Sequence, residues 1–323
     1  MSTNSTRNRL HGILFIFVAK SASKQCLMSI PINHHYVSQC HIRLFFNEQE
    51  KRVYCYDKVY DKYRYKTTTK SLFSEDYANT RMRDAGIDHQ ELEAQLNVFF
   101  EQDFDQHAAN VIALAENPVN NDDAKRESLY YLALYGLIAD VRFPGVKKSM
   151  DDGFNKLMQE NAYKLGLLGD KAQAQLIEKS IEESKKTKYS NVVDYPVIAA
   201  RRLEKMGELD FNIYRINTEE CFLLPDIGCI LLRERINHYF NPNIQEVAIV
   251  GIPLTPKVFV FACSKKLGDT ASGVTTINDL NSEIVKGINK HLYDLAAKTV
   301  ITSDKLQLEK IVREAKDNAQ LDR

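Results

Sequence analysis

An α+β fold is predicted: an N-terminal β-hairpin, a helical middle, and a mostly antiparallel C-terminal sheet flanked by two closing helices. Three observations predict it. Residues 51–70 place β-branched and aromatic residues on either side of a turn. Between 89 and 206 the apolar residues recur at helical spacing. From Gly207 the period changes to short β-rich runs separated by Asn, Pro and Gly.

The elements follow in order. Arg7 and Arg9 precede an apolar run, Ile13 to Ala19, which imitates a signal peptide but lacks a small-residue cleavage site and is too short to span a bilayer. Met28 opens "MSIPINHHYV", so residues 1–27 are expected to be a disordered extension or a mis-assigned start, and 28–323 a single α+β domain. After His34 and His35, Val37, Ile42, Leu44, Phe45 and Phe46 load either a short helix or an extended segment. "KRVYCYDKVYDKYRYKT" then reads as a strand, a turn near Asp57 and Lys58, and a returning strand. Leu92, Leu96, Phe99, Phe100, Phe104, Ala108, Val111 and Ala115 predict one amphipathic helix over 89–116, ended by "NPVNNDD". A second helix is expected from Asp123 to Phe143, stopped by Pro144 and Gly145. A third covers 147–184 with a break at 166–169, and Pro196 fits the first turn of a helix reaching Met206. "LDFNIYRI", "CFLLPDIGCILL", "EVAIVGIPL" and "KVFVFAC" supply the sheet, and helices over 276–299 and 303–319 close the chain.

The 323 residues can bury a sizeable core, and 43 basic residues balance 43 acidic ones, so no global field draws the chain toward nucleic acid or anionic lipid. The six cysteines form no C-x-x-C pair, which argues against a zinc ribbon or thioredoxin-like site and for free thiols in a reducing cytosol. With no membrane segment, a cytoplasmic protein is expected. There is no phosphate-cradling G-x-x-x-x-G-K-[ST], no G-x-G-x-x-G, no G-x-S-x-G and no H-E-x-x-H. P-loop, α/β-hydrolase and zincin chemistry are therefore set aside.

Four features remain. Three and four residues beyond His34 and His35 stand Val37, Ser38 and Gln39, so a local helical metal site is disfavoured. The imidazoles suit acid, base or phosphate contact, or else one caps the next segment while the other is solvated. The hairpin holds seven basic, two acidic and five tyrosine residues between Lys51 and Lys70. That pattern suits phosphates and stacked bases unless the acidic helix beyond it neutralises the hairpin inside the fold. "EQDFDQ" and "SED" offer oxygen ligands for a divalent cation, with Glu101 and Asp105 on one helical face. Asp226 stands in an otherwise apolar strand, where a carboxylate is costly unless paired or used.

These segments resemble the domain of unknown function 4238 family, widespread in bacteria. "HHYVSQCHIRLFF" is similar to its His-Tyr-Val-Pro opening, with Ser38 where the proline stands, and "VYCYDK" at 53–58 to its next strand. "ELEAQLNVFF", "GLIADVRFP" with Arg142, "PLTPK" at 253–257, and "INDLNSEI" or "GINKHL" match later elements. "LLPDIGC" meets a Thr-Ser-Asp-Asn-Pro strand only through Asp226. The resemblance covers about 31–315 in islands. It implies no established activity, but it places His35, Tyr36, Asp57, Lys58, Asp226 and Lys257 at recurring positions.

The expectation is a hydrolase of nucleic-acid phosphodiesters, in a defence or toxin setting. His35 would be acid or base, Lys58 and Lys257 would contact phosphate, and Asp226 with Asp57 would hold a divalent metal or orient the histidine. His34, Tyr36, Tyr54, Tyr56, Arg64 and Lys257 would line the binding surface. The alternative is a non-catalytic module that binds nucleic acid or protein through the hairpin. A purely structural reading makes His34 and His35 a capping pair.

Overall fold

The computed structural model describes residues 32–83, 86–117, 123–237, 243–268 and 275–321. The expectation for residues 1–27 and most of the break after Asn117 lie outside them. The protein is α+β, as its periodicities predict.

The chain begins with β1 (Asn33–His35), paired antiparallel with β4 (Ser74–Asp76). Between them lie α1 (Gln39–Arg43) and the hairpin β2 (Val53–Asp57) and β3 (Lys62–Lys66). The short helix wins over the extended option because the Ser38 side chain caps it, accepting from the Cys40 N–H at 3.3 Å. The histidine doublet is not that cap.

A small hairpin, β5 (Arg81–Arg83) with β6 (Gly86–Asp88), leads into the helical layer. The single helix expected over 89–116 is instead α2 (Glu91–Leu96), a π-helical turn (Asn97–Glu101) and α3 (Phe104–Glu116). The break keeps Phe100 and Phe104 both fully buried. It also separates Glu101, bound to Arg142, from Asp105, which reaches Arg43. Next come α4 (Asp123–Leu137) and α5 (Ala139–Arg142), split at Ile138. Pro144 stops α5 as expected, holding Phe143 extended, and it also opens α6 (Pro144–Leu167), where its missing N–H costs nothing. The predicted break is present: Gly169 has φ +87° before α7 (Lys171–Ser184). Asp194 caps α8 (Tyr195–Met206).

Two sheets organise the rest. The larger has the order β12–β7–β11–β10–β9, from β7 (Leu209–Arg215), β9 (Ile230–Glu234), β10 (Glu246–Pro253), β11 (Val258–Ser264) and β12 (Thr275–Asp279). Only β12 runs parallel to its neighbour. Its inward face and the helical layer share the main core, and α4 lies so close that a methyl on Gly136 would collide with Val250.

The smaller sheet has the order β3–β2–β13–β8 and joins chain segments remote in sequence. β8 is Leu224–Pro225 and β13 is Thr299–Thr302. The closing helix expected over 276–299 is therefore α9 (Ser282–Leu295), with a strand at each end, followed by α10 (Lys305–Leu321). The β-branched run at 299–302 fills the slot between β2 and β8, where both of its edges find partners.

Candidate functional site

Arg142, at the end of α5, is the centre of a buried polar group. Its Nη2 donates to Glu101 Oε1 at 2.7 Å and to the His35 carbonyl at 2.9 Å. Its Nε and Nη1 are buried with no hydrogen-bond partner among the described residues. Burial works against the charge, but Glu101, with the phenols of Tyr135 and Tyr195, more than offsets it and holds the guanidinium above its usual value. Unspent buried donors are costly. Their chemistry matches the paired oxygens of a phosphate or carboxylate.

His35 is half-buried beside this group. Its Nε2 lies 3.2 Å from the Thr69 carbonyl. A carbonyl only accepts, so Nε2 carries the proton and Nδ1 keeps its lone pair. Burial lowers the pKa, against the Thr69 bond and the charges of Glu101 and Glu93. The lowered pKa favours the neutral imidazole, and the Thr69 bond selects its tautomer.

A second layer lies behind it. His34 is fully buried and its Nδ1 accepts the Asn79 N–H at 2.7 Å. The Asn79 side chain accepts from Lys147 Nζ at 2.5 Å and from the Tyr195 hydroxyl at 3.3 Å, and it donates to Glu93 Oε1 at 2.5 Å. Lys147 also donates to the Ala78 carbonyl at 2.7 Å. Burial, with Arg142 nearby, brings the Lys147 amine down to about 7.

Asp57, Lys58 and Asp226 do come together, on the smaller sheet, where Asp57 faces Thr299 and Pro225 faces Val300. Their side chains are spent on backbone. The Asp226 carboxylate accepts three N–H groups, from Ala297 at 2.9 Å, Lys298 at 2.7 Å and Thr299 at 3.0 Å. Burial pushes its pKa up, and those three bonds and Lys58 pull it back. Lys58 Nζ donates to the Tyr293 and Ala296 carbonyls, each at 2.6 Å, at the C-terminus of α9. Asp57 caps the hairpin turn, accepting from the N–H groups of Val59 and Tyr60 at 3.1 Å. Together they clamp the connection from α9 to β13.

The other expected residues are dispersed. Lys257 Nζ donates to the Thr218 carbonyl at 2.6 Å and to that of Glu220. Tyr36 packs edge-on to Phe143, and burial, then the charges of Asp226 and Glu75, raise its phenol. Tyr54 bonds Glu50, Tyr56 donates to Asp61 at 2.8 Å, and Arg64 is exposed on β3. Among the described residues no three His, Cys, Asp or Glu side chains gather as metal ligands.

Sequence reasoning selects His34, His35 and Tyr36, offers Glu101 only as a cation ligand beside Asp105 and Arg142 only within the "GLIADVRFP" match, and misses Glu93, Asn79 and Lys147. Arg142 carried a usable signal: it is a charge inside the apolar run "LIADVRF", the argument that singled out Asp226. Asn79 carried none.

A family model described as "Protein of unknown function (DUF4238)" matches residues 33–306. No curated protein and no solved structure matches the chain. No helix among the described residues is long and apolar enough to cross a membrane.

Proposed function

The chain belongs to the DUF4238 family, proteins of unknown function, and we propose that it is a hydrolase of nucleic-acid phosphodiesters with His35 as its acid–base group. One observation carries the reading: a neutral, tautomer-fixed imidazole stands beside a buried guanidinium with two unspent donor nitrogens. His35 Nδ1 takes a proton from the attacking water as the water oxygen bonds to phosphorus. The P–O bond to the leaving nucleoside breaks, and the leaving oxygen takes a proton from solvent. Arg142 meets the non-bridging oxygens, where charge builds in the transition state. Glu101 and Glu93 keep the resulting imidazolium from becoming too acidic. A cytoplasmic setting is part of the reading, supported by free thiols at Cys40, Cys55, Cys221, Cys229 and Cys263.

The test is cleavage of fluorophore-quenched single-stranded RNA and DNA by the full chain. His35→Ala is expected to lower the rate about 100-fold or more. The wild-type rate is expected to rise with pH through the lowered His35 pKa and to be flat at neutrality, because the base acts only when deprotonated. A wild type that cleaves neither polymer, or a His35→Ala variant as fast as wild type, overturns the assignment.

A further inference from the structure

The hairpin offers a second surface, separate from the His35 chemistry. β3 is the outer edge of the smaller sheet. Tyr54 faces Tyr65 and Tyr56 faces Tyr63, so four tyrosines share one sheet face. Of the inner pair Tyr56 is covered: it stacks on Tyr293, with Lys316 Nζ 5.1 Å from its ring centre, while Tyr54 is half-buried. The outer pair is open, Tyr63 being 43% and Tyr65 57% exposed, and Tyr60 at the turn is 60% exposed. Arg52 lies 4.9 Å over the Tyr65 ring and Lys298 6.0 Å from that of Tyr60. The acidic helical run that was expected to neutralise this surface packs elsewhere, against α1, α4 and β7.

Lys62, Arg64 and Lys66 alternate with the tyrosines along β3 and so stand on its other face, Lys62 and Arg64 exposed and Lys66 half-buried, and the exposed Lys70 follows. None of the four has an ion-pair partner among the described residues. The acids on the hairpin are already engaged: Asp57 caps the turn, Asp61 pairs with Lys316 at 2.7 Å, and Glu50 holds Tyr54. Every second residue of a strand recurs at about 6.7 Å. Three such cations can each meet a successive phosphate of an extended polynucleotide. Edge lysines also keep a strand from pairing with another chain. That explains the cations but not the exposed aromatic rings on the opposite face.

We propose that the open edge of β3 and its turn form a platform for single-stranded nucleic acid, the polymer lying along that edge with bases stacked on Tyr60, Tyr63 and Tyr65 on one face and phosphates held by Lys62, Arg64, Lys66 and Lys70 from the other. A duplex hides its base faces and is a poorer ligand. Beyond β3 the chain reaches Thr69, whose carbonyl fixes His35.

The test is fluorescence anisotropy of the full chain with labelled 20-mers of dT and U and with a duplex of equal length. Single strands are expected to bind more tightly than duplex, with a logarithmic salt slope of roughly −0.7 for each phosphate neutralised. Tyr63→Ala with Tyr65→Ala should weaken binding at least about tenfold, the loss of one stacked base or more. Lys62→Glu with Arg64→Glu should flatten the salt slope. Circular dichroism checks that each variant is folded, and Tyr63→Phe, which keeps the ring, is expected to bind like wild type. His35→Ala should bind as wild type does, which separates failure here from failure of the hydrolase reading. No binding at low salt, equal affinity for duplex, or no effect of removing the tyrosine rings overturns the platform. So does capture of an extended peptide in place of the oligonucleotides.

Discussion

Two polar groups sit inside this fold, and they differ in what remains of their hydrogen-bonding capacity. Around Asp226 the accounts are closed: its carboxylate takes three N–H groups and Lys58 gives two bonds to carbonyls. Around Arg142 they are open, with Nε and Nη1 buried and unmatched among the described residues and His35 Nδ1 holding a lone pair. Both groups hold ionisable residues drawn from distant segments, so convergence alone does not mark a site. Unspent capacity does, because a fold that only needed stability would have no use for it.

The largest expected effect tests the closed side. Asp226→Ala strips the acceptor from three buried N–H groups at once and leaves Lys58 without its nearest negative charge. A loss of about 3–5 kcal/mol is expected, the scale of breaking a buried pair, read as a fall in the urea midpoint. A variant within 1 kcal/mol of wild type, roughly the worth of one ordinary hydrogen bond, would reopen Asp226 as a functional carboxylate.

Next in size is a pH effect on the open side. The folded Lys147 pKa is depressed to about 7 from 10.5, chiefly by burial. Between those values the unfolded chain binds more protons than the folded one, so stability rises with pH, by at most about 1.4 kcal/mol per unit. The contribution is fully present only above the unfolded pKa and is lost as pH falls through the folded one. Tyrosine ionisation enters near the top of the window, so the clean range is pH 7 to 9. Over that range wild type should gain roughly 2 kcal/mol relative to Lys147→Met. Parallel urea midpoints for the two proteins would show that Lys147 is charged within the fold.

The comparison also explains what the sequence made legible. The hairpin could be read because alternating tyrosine and lysine is a local pattern that its own turn completes. β13 could not: Thr299–Thr302 is four residues long and follows a strong helical period, and its strand character comes from β2 and β8. Asp226 stands out in the sequence as a carboxylate among apolar residues, but its partners are the N–H groups of 297–299, which no side-chain pattern announces. Glu101 was assigned a face shared with Asp105, and the π-helical turn undid that by inserting a residue into the period. Arg142 was visible as a charge in an apolar run. Its unspent donors were not, because satisfaction is a property of geometry.

The smallest effect on stability draws the sharpest line between the two groups. The His35 ring is half-buried and makes one bond, to the Thr69 carbonyl. Its removal by His35→Ala should cost about 1 kcal/mol, one net hydrogen bond with little apolar area. The same change should remove about 100-fold in cleavage rate, which corresponds to roughly 2.7 kcal/mol of barrier. Asp226→Ala should behave in the opposite way, unfolding more readily while its surviving folded fraction keeps the wild-type pH dependence. Measured side by side, urea midpoints and single-turnover cleavage rates give two ratios. If both variants lose stability and rate in the same proportion, the division into a closed clamp and an open site is wrong, and His35 belongs with Asp226 as part of the framework.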